Sequence, residues 1–214
     1  MTRDTLNRRS LLALAAALAG LGPGRGSAQR GPVRITREEP VVERREFNAR
    51  RPPRDMPPLA PTESGVCKTT FELGASVTYS SLRVSDTSAR IYVDELDIVT
   101  RLRFDIFTVR GAPPKLRAHE EGHRAIGEHY YRDAVQIAEE IGRRLIGETF
   151  VASGADQEAA QRAGFEQVVA EIERAYMARV RIPSAAANER FDAITNHGLE
   201  PIDEAEAIAL ALAG

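Results

Sequence analysis

The sequence predicts an α+β protein in which a small antiparallel sheet is followed by helices. Between residues 65 and 110 apolar and polar side chains alternate, as they do in half-buried strands. After Gly111-Ala112-Pro113-Pro114 the apolar positions change to helical spacing. With 214 residues, 43% of them hydrophobic and 28% charged, the chain can form one domain with a core, plus tails. Residues 65–214 are therefore predicted to be that domain.

The N-terminal residues 1–28 are typical of a bacterial export signal. Arg8 and Arg9 precede an apolar run at 11–21, and small residues ending at Ala28 suit cleavage. The paired arginines resemble a twin-arginine signal. Because the apolar run is only about 11 residues long, it is too short for a permanent membrane anchor. We expect a periplasmic or extracellular protein without a transmembrane anchor in the mature chain.

Residues 29–64 have the composition of a linker. They contain seven prolines, alternating Arg and Glu, and few large apolar side chains, which predicts an extended or disordered segment. Residues 1–64 carry 12 Arg and Lys against 7 Asp and Glu, whereas residues 65–214 carry 17 against 24. The predicted domain is therefore acidic, and this excludes a nucleic-acid-binding role. Cys67 is the only cysteine, which excludes an intramolecular disulfide and a cysteine zinc site.

The sheet is expected from four strand-like segments that form three or four antiparallel strands. The segments are residues 66–73, which end at Gly74, and residues 75–81, 89–96 and 98–109.

The helical part begins with a long helix from Lys115 to about Ile146. A second helix is expected over residues 156–180, with Gly154 and Asp156 marking its start. Residues 183–200 are predicted to be irregular, and a short helix follows over residues 201–212.

The long helix carries His119-Glu120-Glu121-Gly122-His123, which fits the H-E-x-x-H pattern. Side chains four residues apart lie on one face of a helix, so His119 and His123 can bind one metal ion. Glu120 can act as the base that deprotonates a water at that metal. This pattern predicts a zincin-like unit of two helices with Zn²⁺ as the cofactor, that is, a zinc-dependent peptidase.

A catalytic zinc site generally has three protein ligands, and the residues leave the third open. The candidates are His129, which is ten residues after His119, a helical carboxylate such as Glu139, Glu140 or Glu148, and His197 in the predicted irregular segment. His129 could reach the metal only if the helix ended near Gly127. The helical pattern continues beyond Gly127, and this argues against His129 as a ligand. Asp192 or Thr195 could orient one of the imidazoles from behind.

Two blocks resemble a family of predicted secreted bacterial zinc-dependent proteases, which is catalogued as a domain of unknown function. The first is Leu116-x-x-His119-Glu120-x-Gly122-His123-x-x-Ile126, and the second, Phe191-Asp192-Ala193-Ile194-Thr195-Asn196-His197-Gly198, resembles Tyr-Asp-x-x-Thr-x-His-Gly. The similarity covers roughly residues 65–200. It implies that His197 is the third zinc ligand and that the chain hydrolyses peptide bonds in a peptide or protein substrate.

A second hypothesis is a non-catalytic module of the cell envelope that binds metal or a partner protein. Its partner-binding element would be the Arg- and Pro-rich segment 29–64. Inhibition of peptide hydrolysis by a metal chelator distinguishes the two hypotheses.

Overall fold

The computed structural model describes residues 32–59 and 63–214, so the predicted export signal at 1–28 lies outside the described residues. The fold is a mixed α+β arrangement, and this part of the prediction is confirmed. In chain order the elements are β1 (Val33–Arg37), β2 (Val41–Phe47), β3 (Gly65–Ser85), β4 (Ser88–Val109), α1 (Pro114–Tyr131), α2 (Ala134–Leu145), β5 (Thr149–Ser153), α3 (Gln157–Arg179), α4 (Arg181–Thr195) and α5 (Glu204–Ala213).

A long hairpin of β3 and β4 forms the centre of the sheet. The two strands pair antiparallel from Gly65 opposite Thr108 to Ser85 opposite Ser88. The four short strands expected in this region are therefore two long ones. Gly74 does not end a strand, because it stays paired with Val99, and the only adjustment nearby is a register shift at Thr78/Tyr79.

The other edge of β4 is covered by three short strands laid end to end. β5 pairs antiparallel with the first part of β4, whereas β1 and β2 pair parallel with its middle and last parts. The prediction of a purely antiparallel sheet is therefore wrong. β1 and β2 come from the segment predicted to be a disordered linker, so that prediction is also wrong for residues 33–47.

Two features explain why this segment is ordered. Its prolines at 32, 40 and 52 leave two proline-free stretches, each long enough for a short strand. Its alternating charges also have partners, because Arg34 pairs with Asp97 on β4 and Glu43 lies 2.8 Å from Arg103. The alternating charges that suggested a disordered linker thus form ion pairs with side chains of β4.

The helices bury the apolar face of β4. Its inward side chains Leu96, Ile98, Leu102, Phe104 and Ile106 pack in one cluster with residues of α1, α2 and α3. Of the predicted helices, 156–180 is confirmed as α3, and the Asp156 side chain accepts a hydrogen bond from the Ala159 amide at 2.8 Å. The prediction of a single long helix is wrong, because the chain leaves helical geometry at Asp133, between α1 and α2.

The segment 183–200, predicted to be irregular, is mostly the helix α4. Pro183 is only its third residue, where a missing backbone N–H costs no hydrogen bond. Ala187 and Phe191 are one turn apart and fully buried, in a cluster shared with Ile126 of α1 and with α5. This packing places α4 directly against the helix that carries the motif.

No helix within the described ranges is long and apolar enough to cross a membrane.

Candidate metal centre

The two motif histidines lie one turn apart on α1 and face the interior. The side chain of His119 is 3% exposed and that of His123 is 12% exposed. Their Nε2 atoms are 3.2 Å apart. The helix that positions them begins with Pro114, whose fixed φ suits a first helical position.

Asp192 of α4 completes a group of three side chains whose types can serve as metal ligands. Its Oδ1 is 3.3 Å from Nε2 of His119 and 3.1 Å from Nε2 of His123. Tetrahedral ligands at zinc-to-donor distances of 2.0–2.1 Å are about 3.3 Å from one another. The three atoms therefore have the mutual spacing of a ligand set, and His119, His123 and Asp192 could hold a metal ion.

His197, the predicted third ligand, lies next to this group but not in it. Its Nδ1 is 3.3 Å from Oε1 of Glu63 and 3.7 Å from Oδ1 of Asp192, and its side chain is 47% exposed. The cause is the end of α4, where Asn196, His197 and Gly198 all have positive φ. This left-handed turn carries His197 past the imidazole pair, and it packs Gly198 against the His119 ring.

The other candidates for the third ligand lie elsewhere. His129 is on the same helix and its ring contacts Tyr130. Glu140 of α2 lies 2.6 Å from Arg179 and accepts a hydrogen bond from Gln136. Glu139 is paired with Arg143 on the same helix. Glu148 lies in the turn before β5.

Glu120 is a buried carboxylate beside the group. It is 3% exposed, and the backbone N–H of Cys67 donates a hydrogen bond to it. Burial raises the pKa of Glu120 to about 7, against the opposing effect of His123, and the Asp192 and Glu63 carboxylates raise it further. Among the described residues, Oε2 of Glu120 has no hydrogen-bond partner. Such an atom is available to a small polar molecule.

Asp192 stays ionised for a local reason. Burial alone would raise its pKa, but hydrogen bonds from His119 and His123 hold the pKa of Asp192 well below its usual range. The arrangement thus contains an anionic oxygen facing two imidazoles, which is the charge pattern that a divalent cation stabilises.

The outer nitrogens of both imidazoles meet polar atoms of α4. Nδ1 of His123 is 2.7 Å from Oδ1 of Asn188, and Nδ1 of His119 is 3.4 Å from Oγ1 of Thr195. Thr195 was expected beside an imidazole, and that is where it lies. The contact of Asn188 and the place of Asp192 within the group of three were not predicted. The signal that could have found them is the spacing of Ala187, Phe191 and Thr195, which is helical.

Phe191 fills the space between α4 and the motif. Its ring stacks on His119, with centroids 4.9 Å apart, and meets His123 edge-on at 5.1 Å. The ring fits because residue 122 has no side chain, since a Cβ there would be 2.4 Å from Cζ of Phe191. The glycine of the motif thus allows the aromatic ring to support both histidines.

Replacing Gly122 with Ala should destabilise the protein by about 1–3 kcal/mol, because the new methyl group overpacks a fully buried ring. Chemical unfolding of the metal-free protein measures this change. The control is Ala118→Ser, an exposed position of the same helix, for which about 0.5 kcal/mol or less is expected. Equal stability of Gly122→Ala and the wild type would show that Phe191 is not fixed against the motif.

The group opens into a cavity of about 560 Å³. Its polar lining comes from the group of three together with Glu120 and His197. Its apolar lining consists of Val66, Val109, Ala112, Leu116 and Leu199. A cavity with apolar walls and converging polar groups has the general character of a small-molecule or peptide site.

Comparisons with protein-family models, curated proteins and solved structures gave no match.

Proposed function

We propose that the protein is a zinc-dependent hydrolase that cleaves peptide bonds, with a zincin-like arrangement in which α1 supplies two ligands and α4 the third. The observation that carries the proposal is the triangle of His119 Nε2, His123 Nε2 and Asp192 Oδ1, with edges of 3.1–3.3 Å. A buried carboxylate, Glu120, lies next to it in the same cavity.

The donor atoms suit zinc. Two imidazole nitrogens and one carboxylate oxygen form a set that Zn²⁺ accepts in catalytic sites, with one position left for a water or a substrate. When bound, the ion would polarise a substrate carbonyl and make a water a better nucleophile at neutral pH.

The side chains would then have separate roles. Glu120 would take a proton from the attacking water and deliver it to the leaving amine. Its unpartnered Oε2 gives it a free acceptor for that proton. The apolar walls formed by residues such as Leu116 and Leu199 would contact the side chains of a peptide or protein substrate. His197, at the rim, is available to contact the substrate but is not needed as a ligand.

The location of this activity is inferred from the sequence of the N-terminal residues. With the export signal predicted at residues 1–28, hydrolysis would occur in the periplasm or outside the cell. The alternative of a partner-binding module loses support from the fold, because Arg44 is held 2.6 Å from Glu121 and Arg45 is held 2.7 Å from Asp55.

Metal removal tests the proposal. The purified full-length chain should contain about one zinc ion per molecule, and it should hydrolyse members of a generic fluorogenic peptide library. Treatment with phenanthroline should abolish hydrolysis, and added Zn²⁺ should restore it. A chain that binds zinc but hydrolyses no peptide, with or without added metal, would instead be a non-catalytic metal-binding module.

A further inference from the structure

We infer that Asn188 and Thr195 are positioning residues that fix the protonation pattern of the two imidazoles, so that α4 supplies a ligand and also prepares the other two. The inference rests on the proposed metal site and deepens it. It concerns side chains that do not touch the metal position themselves.

The orientation of Asn188 is determined by its own helix. Its Nδ2 donates a hydrogen bond to the backbone oxygen of Ser184 at 2.8 Å, so its Oδ1 is the atom that faces His123. An amide oxygen only accepts hydrogen bonds. At 2.7 Å, Nδ1 of His123 must therefore carry a proton, so Nε2, which faces Asp192 and donates to it in the metal-free protein, is the nitrogen that can lose its proton and bind a metal ion.

Thr195 makes the corresponding contact with His119. Its hydroxyl donates to the backbone oxygen of Phe191 at 2.7 Å, which leaves a lone pair of Oγ1 as the acceptor for Nδ1 of His119 at 3.4 Å. The same result follows for the His119 ring, because its Nδ1 holds a proton and its Nε2, which faces Asp192, is the nitrogen left to bind the metal ion. The longer distance predicts a weaker effect than that of Asn188.

The spacing of these residues explains how one helix can supply a ligand and also contact both imidazoles. Asn188, Asp192 and Thr195 are four and three residues apart and therefore share one face of α4. Buried hydrogen bonds of this kind hold a histidine in the right tautomer and orientation before the metal arrives. Without them, each ring would have to be reoriented and its proton moved during binding.

The test uses the full-length chain, with zinc affinity measured by chelator competition and the imidazole N–H protons of the zinc-loaded protein observed by NMR. Asn188→Leu keeps the branched shape of the side chain but removes the acceptor. It should weaken zinc binding by roughly 10–100-fold and abolish the exchange-protected Nδ1–H signal of His123. Asn188→Asp restores an acceptor and should restore that signal. Glu189→Gln, an exposed position next along the helix, should change neither measurement.

Thr195→Val is an independent second variant. If Asn188→Leu does not fold, Thr195→Val still tests the inference. It should remove the His119 signal alone, with a smaller loss of affinity. Wild-type affinity together with both N–H signals in either variant would overturn the inference. A wild-type chain that binds no zinc would contradict the proposed function instead, so the two failures are distinguishable.

Discussion

The Glu120→Gln variant is expected to bind zinc as the wild type does and to lose hydrolysis by roughly 10²–10⁴-fold, which is the contribution of a positioned general base. The substitution keeps the size of the side chain and its hydrogen bond from the Cys67 amide, but it removes the ability to accept a proton. Zinc content and the turnover of a fluorogenic peptide, measured on the same sample, check this result.

Glu121→Gln is the matched control, because it makes the same chemical change at the next residue of α1. Glu121 is paired with Arg44 and Arg124 at the surface, so its loss should cost less than about 1 kcal/mol and leave hydrolysis intact. If Glu120→Gln were as active as Glu121→Gln, Glu120 would not be the base.

The second large effect is expected at Asp192. Asp192→Ala removes one of the three proposed ligands and should weaken zinc binding by more than about 100-fold, the upper end of what substitutions behind a ligand cost. His197→Ala should stay within a few-fold of the wild type, because its ring pairs with Glu63 outside the triangle. Chelator competition measures both affinities.

His129→Ala serves as the control, since that side chain lies on the motif helix away from the group and should leave zinc binding unchanged. The reverse order, in which His197→Ala loses zinc and Asp192→Ala keeps it, would assign the third ligand to His197. It would also require the turn at residues 196–198 to move when the metal binds.

The elements that could be predicted from the sequence are those with a strong local signal. The α3 helix has a regular apolar stripe and the Asp156 cap, and α1 contains a motif whose two histidines must face one side. The alternation over residues 65–110 correctly indicated strands, although it could not show that Gly74 continues a strand, because that depends on pairing with Val99.

The remaining features depend on contacts between distant parts of the chain. β1 and β2 are ordered by parallel pairing with β4, roughly 60 residues later, and by ion pairs such as that of Glu43 with Arg103. A local composition rich in proline and charge gives no sign of this pairing.

The place of Asp192 beside the two histidines could not be predicted for a related reason. Pro183 suggested an irregular segment, and the resemblance implied that His197 in that segment was the third ligand. Once residues 181–195 are helical, Asp192 faces α1 and His197 lies beyond the helix end. The proposed metal site therefore depends on the packing of α4 against α1, in which the Phe191 ring occupies the space left by Gly122.

A crystal structure of the zinc-loaded full-length chain, with an anomalous difference map at the zinc edge, tests the central claim most directly. We predict one peak at about 2.0–2.2 Å from Nε2 of His119, Nε2 of His123 and Oδ1 of Asp192, with Glu120 beside it and not bonded to it. A peak bonded to His197 in place of Asp192, or no peak at the two motif histidines, would contradict this account.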